Sequence, residues 1–269
     1  MTIEEATRLE TDAEQREGAG RPGRADLQVH TAHGDAMGSA LEIFEAVEAA
    51  GVLDVVAVTD HDDVEGALLA REVHAQRGYA FDLVTGIEVT TRQGHLLALW
   101  VDEPVRSFRS LEETVAKIHE LGGLAVLPHP FSMLTRSIGR RRLERNLAVE
   151  DAAVHPDAIE LANPTSFGWD TRRARRLNRE RWRLAVTGGS DAHFTELLGA
   201  AYTTFDGRTA SELRLAIEAR ATEGVLGKKV SMAEIGVRRL AHQQVRGLSV
   251  TPRKVLGPPL RRLAGRVRR

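Results

Sequence analysis

The chain has 269 residues, 42% hydrophobic and 28% charged, with ten His and no Cys. That length fits one large domain or two small ones, and the balance is that of a soluble globular protein. Without Cys, disulfides, thiolate catalysis, iron–sulfur clusters and Cys-ligated zinc are excluded, so any metal must be held by His, Asp, Glu and weaker oxygen donors. The net charge of −1 hides an asymmetry. Residues 228–269 carry twelve basic side chains and one acid, Glu234, a surplus of +11 against −12 over the rest.

Residues 1–24 are polar and lack apolar periodicity, which predicts a disordered tail. Within it Gly18, Gly20 and Gly23 fit a dinucleotide-binding G-x-G-x-x-G. An acidic stretch precedes them and Pro22 interrupts them, so the strand and helix that motif needs are missing. No apolar run approaches ~18 residues and the N-terminus is acidic, which predicts a cytoplasmic protein with no transmembrane segment.

From residue 25 short apolar strands alternate with amphipathic helices. Strands are predicted at 26–30, 52–59, 82–89, 95–101, 124–128, 157–162 and 183–188. The fourth follows the third across a short turn at Arg92-Gln93-Gly94. Capping boxes at Ser39/Glu42, Ser110/Glu113 and Thr209/Glu212 open three helices, and further helices are predicted at 64–77, 140–147 and 170–180. Repeated strand–helix units predict an α/β fold with a mainly parallel sheet, either a barrel or an open doubly wound sheet.

The chemistry-bearing residues share a position. His30 ends the first strand, Asp60-His61-Asp62 follows the second, and Glu88 lies near the end of the third. His129, Asn163 and the Asp191/His193 pair follow later strands. His95 begins a strand, but the hairpin puts that start beside its neighbour's end. In a parallel sheet or barrel all these positions fall on one rim, where active sites are built. Imidazole with carboxylate suits Zn, Mn or Fe, and eight donors suit a cluster of two or three ions.

In order along the chain stand Asp26-Leu27-Gln28-Val29-His30-Thr31, Asp35, Thr59-Asp60-His61-Asp62, Gly86-Ile87-Glu88 and Gly94-His95-Leu96. Pro128-His129-Pro130, Ile159-Glu160-Leu161-Ala162-Asn163 and Gly189-Ser190-Asp191-Ala192-His193 follow. This ordered set resembles the motifs of the polymerase-and-histidinol-phosphatase (PHP) superfamily, across about residues 25–205. The nearest resemblance is to stand-alone members acting on nucleotides or short nucleic acids. The resemblance implies a distorted (β/α)7 TIM-like barrel over 25–227, with 228–269 as a basic extension. It also implies two or three divalent ions (Mn, Zn or Fe) and hydrolysis of a small, nucleotide-like phosphomonoester by a metal-bridged hydroxide.

Carried over residue by residue, the resemblance puts His30, Glu88 and Asp191 on a first metal and Glu88, His95 and His129 on a second. Asp35, His61 and His193 fall on a third, and Asp191 and His193 take catalytic roles as well. Gln28 stands where the family has the first His of an H-x-H pair, a weakened ligand position. His33 is the candidate substitute; the alternative is an exposed loop residue. Asp60 and Asp62 read as partners orienting imidazoles, or as caps of the next helix. Asn163 either contacts substrate or closes a strand-end turn. Arg136 and Arg140 either bind the phosphate or belong to a solvated helix face.

Gln28 and the basic tail together leave an alternative function: a weakly active or non-catalytic module recruited to nucleic acid or acidic lipid. The tail is expected to be an appendage, with 232–248 as one amphipathic helix packed on the barrel.

Overall fold

A computed structural model of the chain describes residues 21–132, 135–166 and 168–247. The strands are β1 (Gly23–Val29), β2 (Val55–Val58), β3 (Asp82–Thr90), β4 (His95–Leu99), β5 (Leu124–Leu127), β6 (Ala158–Ala162), β7 (Ala185–Gly188), β8 (Ala201–Phe205) and β9 (Glu223–Leu226). They form one sheet in the order β7-β6-β5-β4-β3-β2-β1-β8-β9. β1, β2 and β3 run parallel, as do β5, β6 and β7; β4 is antiparallel to both its neighbours.

The sheet curls into a nearly closed, distorted TIM-like barrel. Just beyond β7, the Ala192 amide donates to the Gln28 carbonyl (3.2 Å) and the His30 amide to the Ala192 carbonyl (3.0 Å), tying β7 back to β1. On β8, the Thr203 hydroxyl joins both the amide and the carbonyl of Gly188, each at 2.9 Å.

The helices are α1 (Ala40–Ala50), α2 (Glu65–Arg77), α3 (Leu111–Glu120), α4 (Arg140–Leu147), α5 (Gly168–Leu177), α6 (Ala210–Glu218), α7 (Met232–Ile235) and α8 (237–247). All three capping boxes read from the sequence are formed, at the starts of α1, α3 and α6. Each satisfies two amides that a helix start leaves orphaned.

Packing separates the two ends of the barrel. Leu213, Ala216 and Ile217 of α6 join a buried cluster that takes Ala25, Val55, Val84, Leu97, Val126, Ala158 and Ala185 from β1–β7. A cluster with a member from every barrel strand is the barrel's inside, and α6 plugs it at the start of the parallel strands. The opposite end stays free for polar side chains. Ile43, Phe44 and Val47 of α1 pack outside on Val56 and Val58 of β2, and α3 covers Ile87, Leu96 and Ala98.

Three elements differ from expectation. β8 and β9, joined through α6, add an antiparallel pair to the seven predicted strands. β8 (Ala-Tyr-Thr-Thr-Phe) has polar Thr203 on a buried face, where it joins Gly188, so its alternation is masked in the sequence. The helix predicted at 170–180 is α5 followed by a π turn over Asn178–Trp182. The single helix expected at 232–248 is broken at Gly236, whose φ of +88° ends α7 and restarts the chain as α8. The tail residues 1–20 and 248–269, with the disorder and appendage expected of them, lie outside the described residues. No helix among the described residues is long and apolar enough to cross a membrane.

Candidate metal centre

Glu88 is buried at the end of β3, and both its oxygens face imidazoles. Oε1 lies 2.8 Å from Nδ1 of His95 and 3.2 Å from Nε2 of His129. Oε2 lies 3.2 Å from Nε2 of His30 and 3.4 Å from Nδ1 of His61. A second acid, Asp191, places Oδ1 3.2 Å from Nε2 of His30 and 3.6 Å from Nδ1 of His193, whose Nε2 is 3.4 Å from Asp35 Oδ1. The His30 ring stacks on that of His193 at 4.2 Å and sits 4.7 Å from that of His61.

Each donor is placed by its element. His30 follows β1, and His95 opens β4 directly opposite Thr90 of β3, so the hairpin brings it to the Glu88 end. His129 and Asp191 adopt left-handed backbone, φ 30° and 53°, uncommon for residues with a Cβ and typical of functional turns. His129 is further fixed by its other ring nitrogen, 3.0 Å from the Ser137 hydroxyl and 2.9 Å from that of Thr135, which leaves Nε2 for the centre.

The donor set fits divalent metal. Three overlapping groups bring their ligand atoms within 4.8 Å of one another: His30, Glu88 and Asp191; His61, Glu88 and His95; His30, Asp35, His61 and His193. His61 therefore stands close to two groups, and His129 meets the centre through Glu88 alone. Among the buried side-chain atoms with no aligned hydrogen-bond partner are both ring nitrogens of His30, Asp35 Oδ1, His61 Nδ1, Glu88 Oε2 and both ends of Gln28. Leaving such a group unpaired costs ~1–3 kcal/mol, and ligation to a cation removes that cost for the lone-pair atoms among them.

Electrostatics keep the acids ionised, as ligation requires. Burial pushes Glu88 up, but His61, His95, His129 and His30 around it hold it well below the usual carboxylate range. Burial likewise opposes ionisation of Asp35 and Asp191, yet His193 and His30 beside them hold both down. Burial works against charge on His30, but Asp191 and Glu88 outweigh it and raise it. His61 is lowered, by burial first, with the positive neighbours His30 and His95 adding to it.

Of the remaining candidates, Arg136 alone lines the centre's cavity among the described residues. His33 faces Asp63 at 3.1 Å and takes no place beside Gln28. Asp60 and Asp62 touch no imidazole of the centre. Asp60 accepts from the amide and hydroxyl of Thr31, and Asp62 from those of Thr90 and from Ser107, so they clamp the His61 loop to its neighbouring strands. Neither caps α2, whose N-cap is Val64; the Glu65 amide donates to Asp63 just before it. The Asn163 side chain is spent on Glu160 and Thr165, closing its strand-end turn. Arg140 pairs with Glu144 and lines a separate hollow with Phe131 and Arg173.

Two buried acids escaped the sequence reading. Glu160 accepts from the His129 amide and from Asn163, and burial pushes it well above the usual range. Asp26 accepts from the amides of Ser190 and Gly199 and is pushed up to about 6, by burial first. The signal for both was an acid inside an otherwise apolar strand.

A family model described as PHP-associated matches residues 168–222. The chain is 30% identical over 149 residues to an uncharacterized protein of Methanocaldococcus jannaschii, spanning 51% of this chain and 85% of that one. In fold it is similar to a two-domain protein containing a predicted PHP-like metal-dependent phosphoesterase from Bacteroides vulgatus. The TM-score is 0.60 at 16% identity, over 84% of this chain and 70% of that one. It is also similar to a proposed metal-dependent phosphoesterase from Bifidobacterium adolescentis, with TM-score 0.57 at 18% identity over 75% and 97%. The ordered motifs, the barrel and the PHP-associated match converge, and the chain belongs to the PHP superfamily.

Proposed function

We propose that the chain is a metal-dependent phosphoesterase that hydrolyses a small, nucleotide-like phosphomonoester. The observation that carries this reading is Glu88, shared by four imidazoles at the wall of a cavity of about 450 Å³. Divalent metal held there would neutralise charge on phosphate oxygens and lower the pKa of an attacking water.

The chain's own residues supply the rest. His30, Asp35, His61, Glu88, His95, His129, Asp191 and His193 hold the ions. Asp191 and His193, on the cavity wall, orient the attacking water toward phosphorus. Arg136 is the one Arg or Lys among the lining residues and offers a fork of donors to a phosphate oxygen. The volume suits a small ester, within the range of ordinary ligand pockets.

The test is turnover of p-nitrophenyl phosphate by Mn-loaded protein. Wild type is expected to turn it over, and Glu88→Gln to lose roughly 1,000-fold or more, as when a central electrostatic group is removed. No turnover by wild type with metal bound would support the weakly active or non-catalytic alternative.

A further inference from the structure

The cavity has a wall that none of the ligand motifs provides. Leu240, Gln243, Gln244 and Gly247 of α8 line it together with the metal-binding side chains, beside Asp35. α8 is exposed along most of its length, with Val237 and Val245 largely in solvent, yet Gln243 is only 7% exposed. Its amide donates to Asp35 Oδ2 at 3.4 Å, and its own oxygen accepts from Gln244.

Both ends of α8 are pinned to loops of the centre. Near its start, Arg239 forks onto both oxygens of Glu196 and lies over the ring of Phe194, just beyond His193. Near its end, Arg246 donates to the carbonyls of Ala32 and Gly34, in the loop that carries Asp35. A helix tied at two points to the loops after β1 and β7 forms a roof over the Asp35 and His193 side of the cavity rather than an appendage.

We propose that α8 sets the size and polarity of the ester admitted, with Leu240 and Gln243 as specificity-determining residues; this rests on the phosphoesterase reading above. Phosphate goes to the metal-binding side, which is rich in charge. Among the described residues the roof brings no charged side chain to the cavity lining: Leu240 shares that lining with Phe194, Leu197 and the two Gln amides. That surface suits a compact, uncharged organic group bearing hydroxyl or amide functions. With both pins in place the roof leaves less room for a polymer than for a small ester.

The experiment compares wild type with Arg239→Ala/Arg246→Ala, which loosens the roof without touching a metal-binding residue. Elemental analysis should give the same metal content for both. The substrates are p-nitrophenyl phosphate and a 5′-phosphorylated decathymidylate, each with Mn-loaded full-length protein. Wild type should prefer the small ester in kcat/KM by roughly 100-fold, and the variant should narrow that preference at least roughly tenfold, mainly through KM for the decamer. An unchanged preference, or a wild type that favours the decamer, overturns the proposal.

Binding separates this idea from the catalytic one. Phenylphosphonate, which cannot be hydrolysed, should slow amide hydrogen exchange over 240–247 in Mn-loaded wild type, and inorganic phosphate should slow it less. If no ester is turned over but this protection appears, the phosphoesterase reading fails and the roof stands. If esters are turned over and phenylphosphonate leaves exchange over 240–247 unchanged, the roof fails and the phosphoesterase reading stands.

Discussion

Gln28 is fully buried beside His30, with neither end of its amide partnered. A neutral amide oxygen is a weak donor next to imidazole, and it suits Mn better than Zn. His30, Glu88 and Asp191 still group as three strong donors, the usual number for an open catalytic ion. Gln28→His is therefore expected to raise metal stoichiometry and shift preference toward Zn, read by elemental analysis of both proteins loaded with equimolar Mn and Zn. Equal content would mean that Gln28 already ligates, since His33 is held at Asp63. Asp26 offers a pH test. Its folded pKa is raised from 3.8 to about 6, so the stability of the neutral form is complete below pH 3.8 and is lost as pH rises through about 6. A shift of about two units corresponds to ~3 kcal/mol. With metal stripped by chelator, the stability difference of wild type over Asp26→Asn should fall between pH 4 and 6 and level off above pH 7. Urea unfolding at several pH values measures it, and parallel curves would contradict it. Gln28 was legible as a departure from the H-x-H pattern. The burial of Asp26 and Glu160 was not, because charge in a strand says nothing local about what packs over it.

Elements were legible where local chemistry is strong. The capping boxes gave the starts of α1, α3 and α6, and Arg92-Gln93-Gly94 gave the hairpin that delivers His95. At its tip Gly94 has φ +151°, and a Cβ there would stand 2.7 Å from the backbone of Ser137 and Ile138. The Thr91 hydroxyl completes the turn by donating to the Gly94 carbonyl at 2.6 Å. Gly94→Ala is expected to cost roughly 1–3 kcal/mol and to loosen His95, weakening metal binding in a competition with a chelating dye. Unchanged stability and unchanged affinity together would show that the turn does not position His95. β8 was missed because its partner β1 is distant in sequence, and Thr203 looks like a surface residue until its contact with Gly188 exists; β9 pairs only with β8 and went with it. The break between α7 and α8 hangs on one backbone angle at Gly236, within an amphipathic pattern that otherwise reads as continuous.

At the scale of the molecule, the centre draws one or more side chains from the ends of β1, β2, β3, β5 and β7 and the start of β4. Residues 30 and 193 become neighbours only because the barrel closes. Strand ends in a barrel share a rim whatever the sequence distance, which is why the donors could be read as one set before any geometry. The helix packed on the barrel was legible as an amphipathic stretch over 232–248, but its place at the cavity was not: only the path of the chain after β9 brings Gln243 to Asp35. Counting donors gave the ion number, whereas the geometry shares His30, His61 and Glu88 between groups. The most direct test is therefore metal content. Wild type and Glu88→Gln would be reconstituted with Mn, desalted and measured by elemental analysis alongside protein concentration. About two or three ions per chain are expected in wild type, with the loss of at least about one in the variant, because Glu88 faces four of the five imidazoles. A wild type that retains no metal, or a variant that retains as much as wild type, would contradict the account.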